Sequence, residues 1–338
     1  MPILNPFESS NAFNLASLTD AINILPNRYG KLQSMNLFPM RGVRTREIVV
    51  EEKEGVLNLI QSLPPGAPGW ENKMGKRALR TFSIPHFPMN DHIRPEEYDS
   101  IRAFGTENNT SALTQIVSDH LQAIKNKHAI TLEFLRMGAL KGEILDADGS
   151  TLYNLYTEFG IAQETQSFEL DVAGTEVVQK CWAVSRHMED NLLGEIMSGV
   201  HVLCSSSFFD ALTTHANVKN IYANWSAAAN MLGGDTRKGF KIGGLTFEEY
   251  RGQATDKDGN VRKFIADDQA IAFPVGTQNV FNTYCAPADF LETVNTIGKP
   301  YYAKQQPTKF NRGIDIHTQS NVLPMCKRPG VLVTLTLT

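Results

Sequence analysis

Four cysteines, eight histidines and a serine triplet are the side chains of this sequence best suited to metal binding or nucleophilic chemistry. The cysteines are Cys181, Cys204, Cys285 and Cys326. They lie far apart and form no Cys-x-x-Cys pair, which argues against a zinc site or a disulfide framework and favours reduced thiols. The histidines show no His-Glu-x-x-His spacing, and His120 and His128 are too far apart on one predicted helix to chelate a single ion. The pattern therefore predicts neither a metal site nor a metal cofactor.

Two further motifs resemble parts of enzyme sites but lack their required residues. Ser205-Ser206-Ser207 has no flanking glycines of the kind that form a nucleophile elbow. The stretch from Gly234 to Gly239 resembles a phosphate-binding loop, but Phe240 follows where Lys and Ser or Thr are needed. No Gly-x-Gly-x-x-Gly is present. We therefore predict no cofactor and no enzyme activity, and keep a soluble enzyme with a site built from scattered residues as the alternative.

Two acidic loops share part of the spacing of a calcium-binding loop. They are Asp146-x-Asp148-Gly149 and Asp256-x-Asp258-Gly259-Asn260. Both lack the glycine at position six and the bidentate glutamate at position twelve that the calcium loop uses. Because Asp-Gly suits the positive φ of a tight turn, both loops favour β-hairpins.

The elements that would carry these residues follow from hydrophobic periodicity. Apolar residues at spacings of 3, 4 and 7 predict a long helix over 109–140, ending at Gly142. Shorter helices are predicted over Ser17–Leu25, 194–214 and 220–232. Strands are predicted over 80–84, 245–251, 262–273, 314–323 and 330–337, with a hairpin over 46–62 that turns at Gly55.

Residues 46–90 stand out as a long β excursion with too few large apolar residues for a core of its own. The tip contains Pro64-Pro65-Gly66-Ala67-Pro68-Gly69-Trp70, which excludes a helix or a central strand. The basic residues Lys73, Lys76, Arg77 and Arg80 follow, with no acid among them. The excursion is either a solvated loop or a surface for a partner, and Trp70 either an interface anchor or packed on its own loop.

The overall composition is that of an ordinary soluble globular protein. The chain has 338 residues, 42% hydrophobic residues and a formal net charge of −4. No apolar run is long enough to cross a membrane, and the N-terminus lacks the features of a secretory signal. The net charge argues against a dedicated nucleic-acid binder, although a DNA-packaging accessory protein stays open as a third hypothesis.

Charge is unevenly distributed along the chain. Residues 141–200 hold eleven acids and three bases, whereas 299–328 hold six bases and one acid. Residues 1–46 are also basic, and include Arg28 and Arg41. These basic segments and the acidic one could meet between copies of the chain.

Five groups of residues resemble one known family. They are Leu18–Asn23 through Gly42-Val43 to Gly55; Thr131-x-Glu133-x-x-Arg136-x-Gly138 to Gly149; Tyr250-Arg251-Gly252 with Phe273-Pro274 and Gly276; Ala286–Asp289 to Lys304; and Gln319-Ser320-Asn321-x-Leu323-Pro324 with Arg328-Pro329. In this order they are similar to the major capsid protein E family of tailed bacteriophages, the family of the lambda major head protein.

The resemblance implies an α+β fold of the Hong Kong 97-like capsid type. Its parts would be an N-terminal arm (1–45), an E-loop (46–90), a P-domain (91–184) with a spine helix (109–140), an A-domain (185–290) and C-terminal strands (291–338). The expected function is a major capsid protein of the virion, assembled in the host cytoplasm into hexamers and pentamers around double-stranded DNA. Portal, scaffold and decoration proteins would be further partners. The expected inter-subunit contacts are Arg28, Arg41, Trp70, Lys73, Lys76, Arg77 and Arg80.

Overall fold

The computed structural model describes residues 14–25, 30–53, 77–97, 109–256 and 258–338. In these residues the helices are α1 (Leu15–Ile24), α2 (Lys31–Ser34), α3 (Asn109–Lys141), α4 (Leu155–Phe159), α5 (Val177–Asn191), α6 (Ser206–Thr214) and α7 (Lys219–Met231). The strands are β1 (Met40–Gly42), β2 (Glu47–Lys53), β3 (Arg77–Ser83), β4 (Phe87–Ile93), β5 (Glu143–Leu145), β6 (Thr151–Asn154), β7 (Glu164–Ser167), β8 (Gly199–Cys204), β9 (Lys238–Ile242), β10 (Leu245–Glu249), β11 (Gln253–Thr255), β12 (Val261–Lys263), β13 (Gln269–Val275), β14 (Phe281–Cys285), β15 (Tyr302–Pro307), β16 (Ile314–Ser320), β17 (Val322–Cys326) and β18 (Val333–Thr336). The α+β prediction is confirmed.

The chain divides into two compact units, each assembled from three separate segments. Unit 1 contains the described parts of Met1–Ile48, Phe82–Glu133 and Asn282–Pro324. Unit 2 contains those of Val49–Thr81, Phe134–Phe281 and Met325–Thr338. Neither unit coincides with one of the five predicted segments, so that finer division stays a prediction.

Unit 1 is built on an antiparallel sheet with the strand order β15-β16-β4. Successive side chains of a strand point to opposite faces, so Ile314 and Ile316 of β16 are buried while Asp315 and His317 lie on the other face. The buried face forms one apolar cluster with α1 and α3. Its members are Leu18, Ile22, Ile93, Ile116, Val117, Leu121, Ile124, Tyr301, Ala303, Ile314 and Ile316.

Helix α1 belongs to the first 45 residues, the predicted arm, and packs on other segments of unit 1. Leu18 and Ile22, four residues apart, are buried in the unit 1 cluster. The Asn23 amide donates to the Tyr301 carbonyl at 2.9 Å. The segment packs within its own chain because its apolar stripe has a matching partner in β15.

The short strand β1 also joins unit 1. It pairs in parallel with β14, with Met40 opposite Thr283 and Gly42 opposite Cys285. A Cβ on Gly42 would collide with the Gly298 carbonyl oxygen, so the two backbones approach too closely for any side chain. Only glycine therefore fits at position 42, where the backbone of β1 lies against the backbone of Gly298.

Unit 2 is organised around a six-stranded mixed sheet, in the order β7-β18-β13-β8-β10-β9. One apolar cluster includes residues of this sheet, α5 and α6. Val177, Cys181, Val184 and Met188 provide the buried stripe of α5. The C-terminal strand β18 shows the alternating burial that its sequence predicts.

The structure bears out several predicted elements and corrects two. The predicted helix over 109–140 is α3, and the helix over 220–232 is α7. The prediction of a helix over 194–214 is wrong in its first half, which forms β8 (Gly199–Cys204) before α6 begins. Ser205 separates the two, because its hydroxyl accepts from Phe208 N at 3.3 Å and caps α6. The strand predicted over 262–273 is divided, because residues 264–268 separate β12 from β13. Helix α5 is not among the predicted elements.

Strands β2 and β3 pair with each other at the base of the predicted 46–90 excursion. The strand predicted over 80–84 is therefore confirmed as part of β3, one residue earlier at its end. The expected turn at Gly55 and the tip lie outside the described residues. The two acidic loops are hairpin turns, joining β5 to β6 and β11 to β12.

Candidate assembly surfaces

The residues predicted to make inter-subunit contacts divide by how much of them the structure describes. Arg28, Trp70, Lys73 and Lys76 lie outside the described residues, and Arg77 is described in its backbone alone. Arg41 is exposed in β1, opposite Tyr284 of β14. Only Arg41 and Arg80 can therefore be located as side chains, and their part in assembly stays a prediction.

Arg80 makes contacts inside its own chain. Its guanidinium lies 5.1 Å from the centroid of the Phe159 ring and donates to the Phe159 carbonyl at 3.3 Å. Phe159 ends α4, where Gly160 adopts the left-handed conformation that closes a helix. Arg80 thus ties β3 to the end of α4 through a cation–π contact and a hydrogen bond, a role that its sequence context does not signal.

The serine triplet and the acidic loop at Asp256, which resemble parts of catalytic and metal sites in sequence, have structural roles. Ser206 donates to the Glu249 carboxylate at 2.6 Å, and Ser205 caps α6. The Asp256 carboxylate accepts from the backbone N–H groups of Asp258 at 3.0 Å and Asn260 at 2.8 Å, which is turn chemistry.

The four cysteines are free and buried. Burial raises the pKa of Cys181 to about 12 and that of Cys326 to about 12, so both thiols stay protonated at neutral pH. No cluster of three or more His, Cys, Asp or Glu side chains suited to a metal ion occurs among the described residues.

Among the helices that the structure describes, none is both long and apolar enough to span a bilayer.

The hairpin between β15 and β16 exposes an aromatic side chain at its tip, residues 308–312. Phe310 is 89% exposed and has a φ of 65° and a ψ of 22°. A left-handed backbone costs a non-glycine residue roughly 1–2 kcal/mol. Thr308 N donates to the Gly313 carbonyl at 3.0 Å and closes the tip. Sequence reasoning missed Phe310; its signal is an aromatic residue between Lys309 and Arg312 in a turn that ends with glycine.

Unit 2 carries an acidic surface, opposite in charge to Lys309 and Arg312 of the 308–312 tip. We call it the acidic α5 surface. It consists of Trp182, Glu189 and Asp190 on α5, with Asp171 and Glu176 shortly before the helix. All five side chains are exposed, and Trp182 is 48% exposed. It lies in the acidic stretch 141–200. The exposed base Arg186 lies between Trp182 and Glu189 on the helix, and an exposed tryptophan is a typical anchor of a protein-binding surface.

Solved structures with this fold include capsid proteins. A prophage protein from E. coli CFT073 that is described as a capsid protein matches with a TM-score of 0.63 at 15% identity, over 96% of this chain and 99% of that one. The mature capsid protein of bacteriophage PhiM1 matches with a TM-score of 0.51 at 13% identity, over 93% and 89%. The fold is therefore the Hong Kong 97-like capsid fold, as predicted.

Sequence comparison narrows the class to one family. The chain belongs to the phage major capsid protein E family, which matches residues 14–337. The major capsid protein of Pseudomonas phage KPP10 is 29% identical, over 96% of each chain. That of Salmonella phage Felix O1 is 27% identical, over 95% of each. Family membership makes the chain a structural component of the phage capsid rather than an enzyme and confirms the predicted role.

Proposed function

We propose that copies of this chain associate as hexamers and pentamers and close an icosahedral shell around packaged double-stranded DNA. The observation that carries this proposal is the family match along almost the entire chain, on a fold shared with capsid subunits. Assembly takes place in the host cytoplasm. Each subunit makes many weak contacts simultaneously, so modest individual affinities add to a stable shell.

The five predicted segments divide this work. Residues 46–90 form the E-loop that reaches a neighbouring subunit, with β2 and β3 as its base. Arg28 and Arg41 of the arm, together with Trp70, Lys73, Lys76, Arg77 and Arg80, make contacts between subunits. The intramolecular contact of Arg80 with Phe159 supports a role for this arginine in aiming the E-loop. Residues 91–184 form the P-domain, 185–290 the A-domain, and 291–338 the returning strands.

The packaged DNA requires no sequence-specific contacts in this proposal. The chain carries a net charge of −4, so it lacks the excess of basic residues that drives tight phosphate binding. We propose that the DNA is enclosed rather than bound at a dedicated site. Portal, scaffold and decoration proteins are the further partners that a head of this kind would engage.

Sedimentation of the chain produced together with its phage's other head proteins tests the proposal. Megadalton particles that electron microscopy shows to be closed shells would support it. A small closed oligomer, stabilised against heating by a small ligand, would instead favour the soluble enzyme. Duplex affinity that falls steeply with salt, without particles, would favour a DNA-packaging accessory protein.

A further inference from the structure

Phe310 combines two features that are unfavourable in an isolated subunit. Its side chain is 89% exposed, although burying an aromatic ring removes a large apolar area from water. Its backbone is left-handed, which other residue types tolerate better. The non-glycine residues with positive φ among those described are Asn36, Glu169, Leu193, Asp268, Asn295 and Phe310, and Phe310 is the one aromatic member of that set.

The tip around Phe310 is held in place rather than loosely attached. Backbone and side chain of Thr308 both donate to the Gly313 carbonyl, at 3.0 Å and 3.2 Å. The Arg312 guanidinium lies 5.8 Å from the centroid of the Phe310 ring. Phe310 has a strained backbone, an exposed side chain and a fixed position. This combination indicates a function other than stabilising the subunit, because the fold gains little from it. A rigid aromatic side chain also loses little entropy on binding.

We propose that Phe310 is an assembly anchor that docks on the acidic α5 surface of a second copy of this chain. This inference rests on the proposed shell-building function, which makes another copy the available partner. Charge complementarity favours the acidic α5 surface, because Lys309 and Arg312 flank Phe310 while carboxylates outnumber bases around α5, with Glu189 and Asp190 two helical turns beyond Trp182. The indole of Trp182 offers the aromatic contact, and the carboxylates receive the two cations.

Replacing Phe310 with glycine distinguishes a role in assembly from a role in the stability of the subunit. Phe310→Gly removes the ring and also relieves the left-handed strain, so the unassembled subunit should melt at the same or a higher temperature. In infected cells that depend on a plasmid copy of the gene, we expect the yield of sedimenting shells to fall by about tenfold or more. Phe310→Tyr should keep the yield near that of the wild type.

Asn36→Gly is the matched control, because Asn36 is exposed and left-handed but not aromatic. It should leave the shell yield unchanged. Equal shell yields from the wild type and Phe310→Gly would overturn the anchor while leaving the shell-building function intact. A wild type that forms no shells would overturn the proposed function and the anchor with it.

A photo-crosslinker locates the docking surface. With p-benzoylphenylalanine in place of Phe310, irradiated shells should yield crosslinks to peptides from 169–193 of another copy. The pair Lys309→Glu and Arg312→Glu should lower the shell yield, and adding Glu189→Lys and Asp190→Lys should restore it. Crosslinks confined to other peptides, or no restoration, would overturn the assignment to the acidic α5 surface.

Discussion

At the scale of single residues, two histidines of α3 have opposite electrostatic environments. His128 is 6% exposed, and its Nε2 lies 3.0 Å from the Thr318 hydroxyl. His120 lies between two carboxylates, with Nδ1 2.7 Å from Asp91 and Nε2 2.9 Å from Glu97. The spacing of His120 and His128 indicates that they do not share a metal ion. Their hydrogen-bond partners could not be predicted, because these partners come from distant segments that hydrophobic periodicity does not bring together.

Acid should destabilise the protein through His128. Burial lowers the pKa of His128 to about 4, below the value near 6.5 of an unfolded chain. Below pH 6.5 the unfolded state binds a proton that the folded state does not, so stability falls by up to about 3 kcal/mol as the pH approaches 4. In urea titrations of the unassembled subunit, His128→Gln should flatten this acid limb. Parallel limbs for both proteins would contradict the assignment.

His120 should act in the opposite direction. Burial lowers its pKa, but hydrogen bonds and charge attraction from Asp91 and Glu97 outweigh burial and raise the pKa above its usual value. The stabilisation is therefore full below about pH 6.5 and is lost as the pH rises through the raised pKa. The stability difference between the wild type and His120→Gln should be larger at acidic pH than at pH 9. NMR titration of the imidazole checks the direction, and a lowered pKa would refute it.

At the scale of elements, helix α3 could be predicted from sequence because one of its faces meets an apolar surface. The two Asp-Gly hairpins could be predicted because their turns need those residue types. Strand β8 was assigned to a helix because a short apolar run fits a buried strand and a buried helix equally well. Helix α5 was missed because Trp182, an apolar residue, lies on its exposed side and blurs the stripe.

The junction between β1 and Gly298 can be tested with a single methyl group. A Cβ on Gly298 would collide with the backbone of Cys285 and Ala286, so Gly298→Ala should lower the free energy of unfolding by several kcal/mol. Gly174→Ala is the control, because a Cβ there meets nothing within 4 Å. Chemical denaturation of both variants measures the effect. A Gly298→Ala protein as stable as its control would show that the backbone at Gly298 can move away from Cys285 and Ala286 at little cost.

The basic residues of the predicted E-loop should separate into two classes. Arg80→Ala removes the contact with Phe159 and should cost the subunit about 1 kcal/mol of stability, because a cation–π contact and one hydrogen bond are lost. Lys76→Glu with Arg77→Glu should impair assembly while leaving the melting temperature unchanged. Thermal melts and shell yields for both variants check the distinction. Loss of stability in the double variant, or normal shells from it, would contradict the proposed role of these two residues.

At the scale of the whole molecule, the composition of the 46–90 segment indicates an assembly element. Deleting residues 62–76 leaves 54–61 to connect β2 to β3, enough for a hairpin loop. We expect the shortened chain to fold and to remain unassembled, as circular dichroism and electron microscopy would show. Normal shells from this deletion would remove the E-loop assignment.

The overall class could be predicted from sequence, and contact residues in the 46–90 segment could be proposed from it, whereas the proposed anchor at the 308–312 tip could not. Trp70, Lys73 and Lys76 stand out because a long segment without a core carries them. Phe310 stands out only once its φ and its exposure are known, since the same residue in an ordinary hairpin would be unremarkable in sequence. Backbone strain leaves no periodic trace.

The pairing of the first and last parts of unit 1 has a consequence for the order of events during synthesis. Helix α1 packs on β15, and β1 pairs with β14, so contacts of the early segment wait for residues made more than 240 positions later. Such distant contacts close slowly and only after the ribosome has nearly finished the chain. The 308–312 tip is translated in the same late window. A nascent chain therefore exposes its anchor only shortly before unit 1 can close, which limits premature association between chains still attached to neighbouring ribosomes.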